Sequence, residues 1–155
     1  MIRTKSRMRL CIALLILNLL FIWGNSLLPG SVSGAISGWV KDLLAKLFSF
    51  GSDPTDEGHG LLRKLAHFTE FACLGACLCW LLSMLGRRPL YSIFCGFPVA
   101  CLDELIQRLI PDRGPSFRDV LIDTAGVCLG MALLLAGNAI YQKRKNNIFL
   151  EENKQ

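Results

Sequence analysis

The chain has 155 residues, 52% of them hydrophobic and 19% charged, with 17 Lys and Arg against 12 Asp and Glu for a formal net charge of +5. Its apolar residues come in runs of membrane length separated by short Gly- or Pro-containing polar breaks, a distribution that excludes an ordinary soluble domain. The basic residues sit just outside those runs and form no aromatic-interleaved surface, so they read as topology signals and nucleic acid is excluded as a partner.

A hydrocarbon core about 30 Å thick needs roughly 20 apolar residues per helix at about 1.5 Å rise each. Four stretches meet this, at about residues 10–28, 62–85, 90–110 and 120–141. The expected fold is all-α: an integral membrane four-helix bundle over residues 10–141, flanked by a basic tail (1–9) and a second tail (142–155).

The first tail carries Arg3, Lys5, Arg7 and Arg9 without an acid, the loop after the second helix carries Arg87 and Arg88, and the last helix runs into Lys143, Arg144 and Lys145. By the positive-inside rule both termini and the middle loop are cytoplasmic, in a bacterial cytoplasmic membrane crossed several times. The first and third loops then lie outside and hold six of the 12 acids. A rival reading of the first helix is a cleaved signal peptide, with small residues at Ser31 and Ser33. Its apolar run is long for a signal core.

In the first outer loop Trp39, Val40, Leu43, Leu44, Leu47 and Phe48 recur at helical spacing, opposite Lys41, Asp42 and Lys46. The pattern predicts a short interfacial helix, lying flat among headgroups or packed on the bundle. Residues 51–60 follow as a turn-rich linker.

The second helix carries Lys64, His67, Glu70 and Phe71 down one face. The third is the most informative. Its uninterrupted apolar run, 90–102, spans only about 20 Å, so either Asp103 and Glu104 enter the bilayer, where they should face an interior rather than lipid, or the bilayer thins. Asp103 and Gln107 share a face, and Glu104 lies three residues from Gln107. The fourth helix begins with Asp119 and Asp123, and Gly126 and Gly130 continue that face and permit close helix approach.

By rise alone Glu70, Asp103 and Asp123 each lie on the order of 10 Å below the outer boundary. Pro111-Asp112-Arg113-Gly114-Pro115 makes an outer turn that holds Arg113 over them, able to pair with an internal acid or with an anionic ligand. Taken singly, Lys64, Asp119 and Arg108 read as solvated helix ends and His67 as an interfacial histidine; Arg118 reads as a headgroup anchor. Taken together, Lys64, His67, Asp103, Glu104, Gln107, Arg113 and Asp119 are the expected ligand-binding set, and His67, Glu104 and Asp103 are the candidates for any catalysis.

The seven cysteines, Cys11, Cys73, Cys77, Cys79, Cys95, Cys101 and Cys128, all fall within expected helices and read as small packing residues. Cys77-x-Cys79 is the one spacing that hints at metal, but two residues apart on a helix the side chains diverge, so no metal and no cofactor is expected.

Lys64-x-x-His67 with Leu74-Gly75, then Asp103-Glu104-x-x-Gln107, Pro111-x-Arg113, Asp119 and Gly126-x-x-x-Gly130, resembles the VanZ-like family of bacterial membrane proteins, from about residue 10 to 135. The resemblance implies four membrane helices with both ends cytoplasmic, and a founding member associated with low-level resistance to teicoplanin, a lipid-tailed glycopeptide. Phe71 stands where relatives often have Tyr, and Asp123 where Asn is common.

Three functions follow as expectations. One is an envelope protein whose outward pocket binds an amphipathic or lipid-linked ligand and alters susceptibility to lipoglycopeptides. Another is an intramembrane enzyme acting on a lipid-linked phosphate or other envelope substrate, although no nucleophile elbow or HExxH motif is present. The third is a small proton-linked transporter, for which four short helices suggest a homo-oligomer. In each case the lipid bilayer is the common partner.

Overall fold

The computed structural model describes residues 2–35, 38–40, 57–111 and 116–152, and every regular element among them is helical. Four long helices carry the architecture: α1 (Ile2–Ser26), α2 (Glu57–Met84), α3 (Tyr91–Gln107) and α4 (Phe117–Glu152). Residues 30–35 and 38–40 are also helical; the remainder of the expected interfacial helix, from Lys41 to Phe48, lies outside the described residues.

Local chemistry sets the ends. At the end of α2, Gly86 takes φ +68°, the left-handed conformation that a Cβ disfavours. The Arg87 N–H then reaches back to the Leu82 carbonyl (2.9 Å) and the Gly86 N–H to that of Ser83 (3.2 Å), the paired bonds of a Schellman stop. Leu90 caps α3, Pro98 sits inside it, and after Gln107 the chain tightens into turns, with Leu109 N–H bonded to Ile106 O (3.0 Å) and Ile110 N–H to Gln107 O (3.1 Å).

Three helical stretches, Lys5–Ser26, Leu62–Met84 and Phe117–Glu151, are long and apolar enough to cross a membrane. With 17 residues, α3 is shorter than the expected 90–110: it covers about 26 Å, under the hydrocarbon thickness. The other helices overrun their expected bounds. The backbone of α1 is already helical at Ile2, and α4 continues past Tyr141 to Glu152. Neither extension contains Gly or Pro, so nothing local stops the helix where the apolar run does.

The surface is apolar and the interior partly polar. Leu17, Phe94 and Leu133 are each more than 60% exposed, whereas Ser26, His67, Glu70, Ser92, Asp103, Glu104, Gln107 and Asp123 are buried. This inversion of the soluble pattern identifies a protein whose solvent is lipid.

Helix α2 touches all three others and packs most extensively on α4. A Cβ added at Gly130 would land on the Ala72 carbonyl, one at Gly126 on that of Phe68, and one at Gly75 on the Val127 backbone. The two backbones are in contact along this seam, as the Gly126 and Gly130 spacing predicts. Val127 is fully buried there, pressed against Gly96 of α3, and with Ile22, Phe71, Leu74, Ala100 and Val120 it forms the apolar core.

Candidate functional site

Beyond the apolar core, toward the end of the molecule where α1 and α3 finish and α4 begins, the helices meet through polar side chains. Helix α2 contributes His67 and Glu70, three residues apart and therefore on one face, both less than 10% exposed. Helix α3 contributes Asp103, Glu104 and Gln107 from its last turns, and α4 contributes Asp119 and Asp123 from its first two. Carboxylates from three helices thus converge, as the sequence anticipates.

Asp103 is the centre of the arrangement and is fully buried. Ser26 Oγ donates to its Oδ1 (2.6 Å), Gln107 Nε2 donates to its Oδ2 (2.8 Å), and His67 Nδ1 lies 3.7 Å from Oδ2. The same imidazole nitrogen is 4.0 Å from Glu70 Oε2. Asn25 Nδ2 donates to Glu70 Oε1 (2.9 Å), and Asn18 Nδ2 donates to the Glu70 carbonyl (3.3 Å), so α1 is tied to α2 at two levels.

Glu104 Oε2 accepts the backbone N–H of Ser116 (2.8 Å), which pins the end of α3 to the start of α4. Asp119, in the first turn of α4 where the helix dipole favours an acid, sits 3.9 Å from Lys64 Nζ. At that distance the two attract without a hydrogen bond. Asp123 differs from the rest. It is 2% exposed, its carboxylate opens on the pocket described next, and among the described residues it accepts no hydrogen bond and pairs with no cation.

A narrow pocket of about 10 Å³, on the scale of a single water, lies between α2, α3 and α4; Arg63, Lys64, His67, Glu104, Gln107, Asp119 and Asp123 form its polar lining. Lys64 and Arg63 are partly exposed, while His67, Glu104, Gln107 and Asp123 are buried. Separate apolar grooves run beside it. One, between α1 and α2, has about 850 Å³ of empty volume and is walled by Leu20, Phe21, Leu28 and Ala66, with Asn25 and Glu70 at its polar side.

Of the residues singled out from sequence, Lys64, His67, Asp103, Glu104, Gln107 and Asp119 come together; Arg113 lies outside the described residues, and Arg108 and Arg118 are exposed. Asn25, Ser26 and Arg63 were not anticipated. All seven cysteines are free. The donor atoms that do gather are one each from His67, Asp103 and Asp123, all within 4.8 Å of one another.

Comparison with curated proteins and with solved structures finds no match. A family model described as VanZ/LLP1 matches residues 10–139, which contain every buried polar residue of the pocket and the whole Gly126/Gly130 seam. The chain therefore belongs to the VanZ/LLP1 family.

Proposed function

We propose that this is an envelope protein of the bacterial cytoplasmic membrane, with four membrane helices and both termini cytoplasmic, whose polar pocket faces outward and binds an amphipathic envelope ligand. The charge asymmetry of the loops supports that orientation. At 17 residues, α3 spans by bringing its turn residues and their polar partners into a locally thinned bilayer.

The observation that carries the reading is the adjacency of two environments: a pocket rimmed by Arg63 and Lys64, and an apolar groove beside it that reaches Asn25 and Glu70. An anionic headgroup is attracted to the rim cations, while its tail lies along Leu20, Phe21 and Leu28; the sequence offers Arg113 as a further cation for the same headgroup. The buried carboxylates repel the same headgroup, so it binds at the rim and not in the interior. A lipid-tailed glycopeptide or its lipid-linked target has this division into polar head and chain, which connects the pocket with altered susceptibility to teicoplanin.

The test is susceptibility to teicoplanin on expression of the full chain. Wild-type protein is expected to change it, with Arg113→Ala and Asp103→Ala reducing the change at equal expression. No change with wild-type protein, or an undiminished change with both variants, contradicts the proposal.

A second reading, an intramembrane enzyme acting on a lipid-linked phosphate, is favoured by His67. Its imidazole stands within 4.0 Å of carboxylates from two helices, an arrangement suited to general acid or base work, and Lys64 and Arg63 are near to steady developing negative charge. Turnover of lipid pyrophosphates by purified protein, lost in His67→Gln, would select this reading. Absence of turnover across pH and added metals would remove it.

A further inference from the structure

Several carboxylates are buried at the inner end of the pocket. Asp103, Glu104 and Asp123 are buried at or beside the pocket on two helices, and among the described residues no ammonium or guanidinium lies within 4.0 Å of any of them; the nearby Lys64 pairs with Asp119 instead, at 3.9 Å. Carboxylates in a membrane interior need either a cation or a proton. Asp123 sharpens the problem, because it is more than nine-tenths buried, opens on the pocket and has no hydrogen-bond donor or cation of its own among the described residues.

We propose that His67, Asp103 and Asp123 form a site for a divalent first-row metal ion, each supplying one donor atom from a different helix. The donors are the imidazole nitrogen and two carboxylate oxygens, a mixed set that suits Mn²⁺ and its neighbours. Their separations fit. Metal bonds of about 2.0–2.2 Å place donor atoms roughly 3–4 Å apart, His67 and Asp103 are already 3.7 Å apart, and no pair in the trio exceeds 4.8 Å. A contraction of at most about 2 Å at the widest pair completes the geometry.

The surroundings resemble those of a held metal site. Asp103 is oriented by donors to both of its oxygens, Ser26 to one and Gln107 to the other, which fixes its plane without consuming every lone pair. With a neutral imidazole, a dication and two carboxylates make an uncharged unit, the cheapest form in which these groups can sit below the membrane surface. The pocket at Asp123 provides access for the ion and space for water as a further ligand.

The site shares its pocket with the ligand proposed above but does not depend on it. Binding is therefore measured with Mn²⁺ alone and no amphiphile, so that either proposal can fail without the other. Detergent-purified full-length protein is titrated with Mn²⁺ and free ion is followed by its six-line electron paramagnetic resonance signal. One ion per chain is expected, with binding at least tenfold weaker in Asp123→Asn and in His67→Gln, and unchanged in Cys77→Ser.

In the unmodified protein, ¹⁵N-histidine spectra give an independent readout. Of the chain's two histidines, substoichiometric Mn²⁺ should broaden the resonances of His67 before those of His59. No stoichiometric binding by wild-type protein, equal broadening of both histidines, or Asp123→Asn binding as tightly as wild-type overturns the site and leaves protons as the balancing charge.

Discussion

The same two helices are held together in opposite ways along their length. At the Gly126/Gly130 seam α2 and α4 meet backbone to backbone, with no room for a Cβ on either glycine and no polar side chain involved. Toward the Lys64 end of α2 the backbones give way to side chains, and His67, Asp119 and Asp123 stand apart around a pocket that α3 helps to wall. Lipid offers no hydrophobic drive for helix association. The seam therefore supplies adhesion through close packing, and the space that packing leaves above it is where the chain can keep water-seeking groups.

Filling the seam should have the largest effect. Gly130→Leu sets a side chain against the Ala72 carbonyl, a backbone atom that cannot turn away, and it should cost more than about 3 kcal/mol and abolish monodisperse protein on detergent size exclusion. If Gly130→Leu instead melts like wild-type, the backbone contact is absent. Asp103→Ala comes next. It strands Ser26 Oγ and Gln107 Nε2 and should lower stability by about 2 kcal/mol while leaving the seam intact, so thermal melting shifts but helicity by circular dichroism does not.

Asn25→Ala removes one donor to Glu70 and should cost about 1 kcal/mol, in line with interhelical hydrogen bonds in membranes. A loss equal to that of Asp103→Ala would mean that α1 carries more of the polar end than its contacts indicate. Lys64→Met should change stability least, by under about 0.5 kcal/mol, because the pair with Asp119 is 3.9 Å long and the lysine is 38% exposed. Its effect belongs to ligand binding, and a large stability loss would move Lys64 from the rim into the framework.

The two regions also differ in how far the sequence reveals them. Glycines four apart on an apolar run have one common use in a membrane, and the contact with Ala72 and Phe68 follows directly. The acids of α3 were legible because the apolar run is too short without them, and those of α2 and α4 because helical rise puts them at one depth. The α1 contribution was not legible. Asn25 and Ser26 end an apolar run, where such residues ordinarily terminate helices, and their partners are 45 and 77 residues away.

The helices and the apolar runs differ in length for a related reason. Apolar runs report where lipid begins and ends, whereas the backbone continues as helix wherever Gly and Pro are absent, as α4 does to Glu152. The gathering of His67, Asp103 and Asp123 was half legible. Depth by rise places the two aspartates level, but the azimuth that turns both toward one imidazole comes from the seam, which fixes the rotation of α4 against α2.

The most direct test of a polar centre shared among separate helices is a double-mutant cycle on Ser26→Ala and Asp103→Ala, read from equilibrium unfolding in mild detergent. Their oxygens are 2.6 Å apart across 77 residues of sequence. A coupling of about 1 kcal/mol is predicted, with the double variant less destabilised than the sum of the singles. Strict additivity would contradict the convergence on which the pocket and both proposals made for it rest.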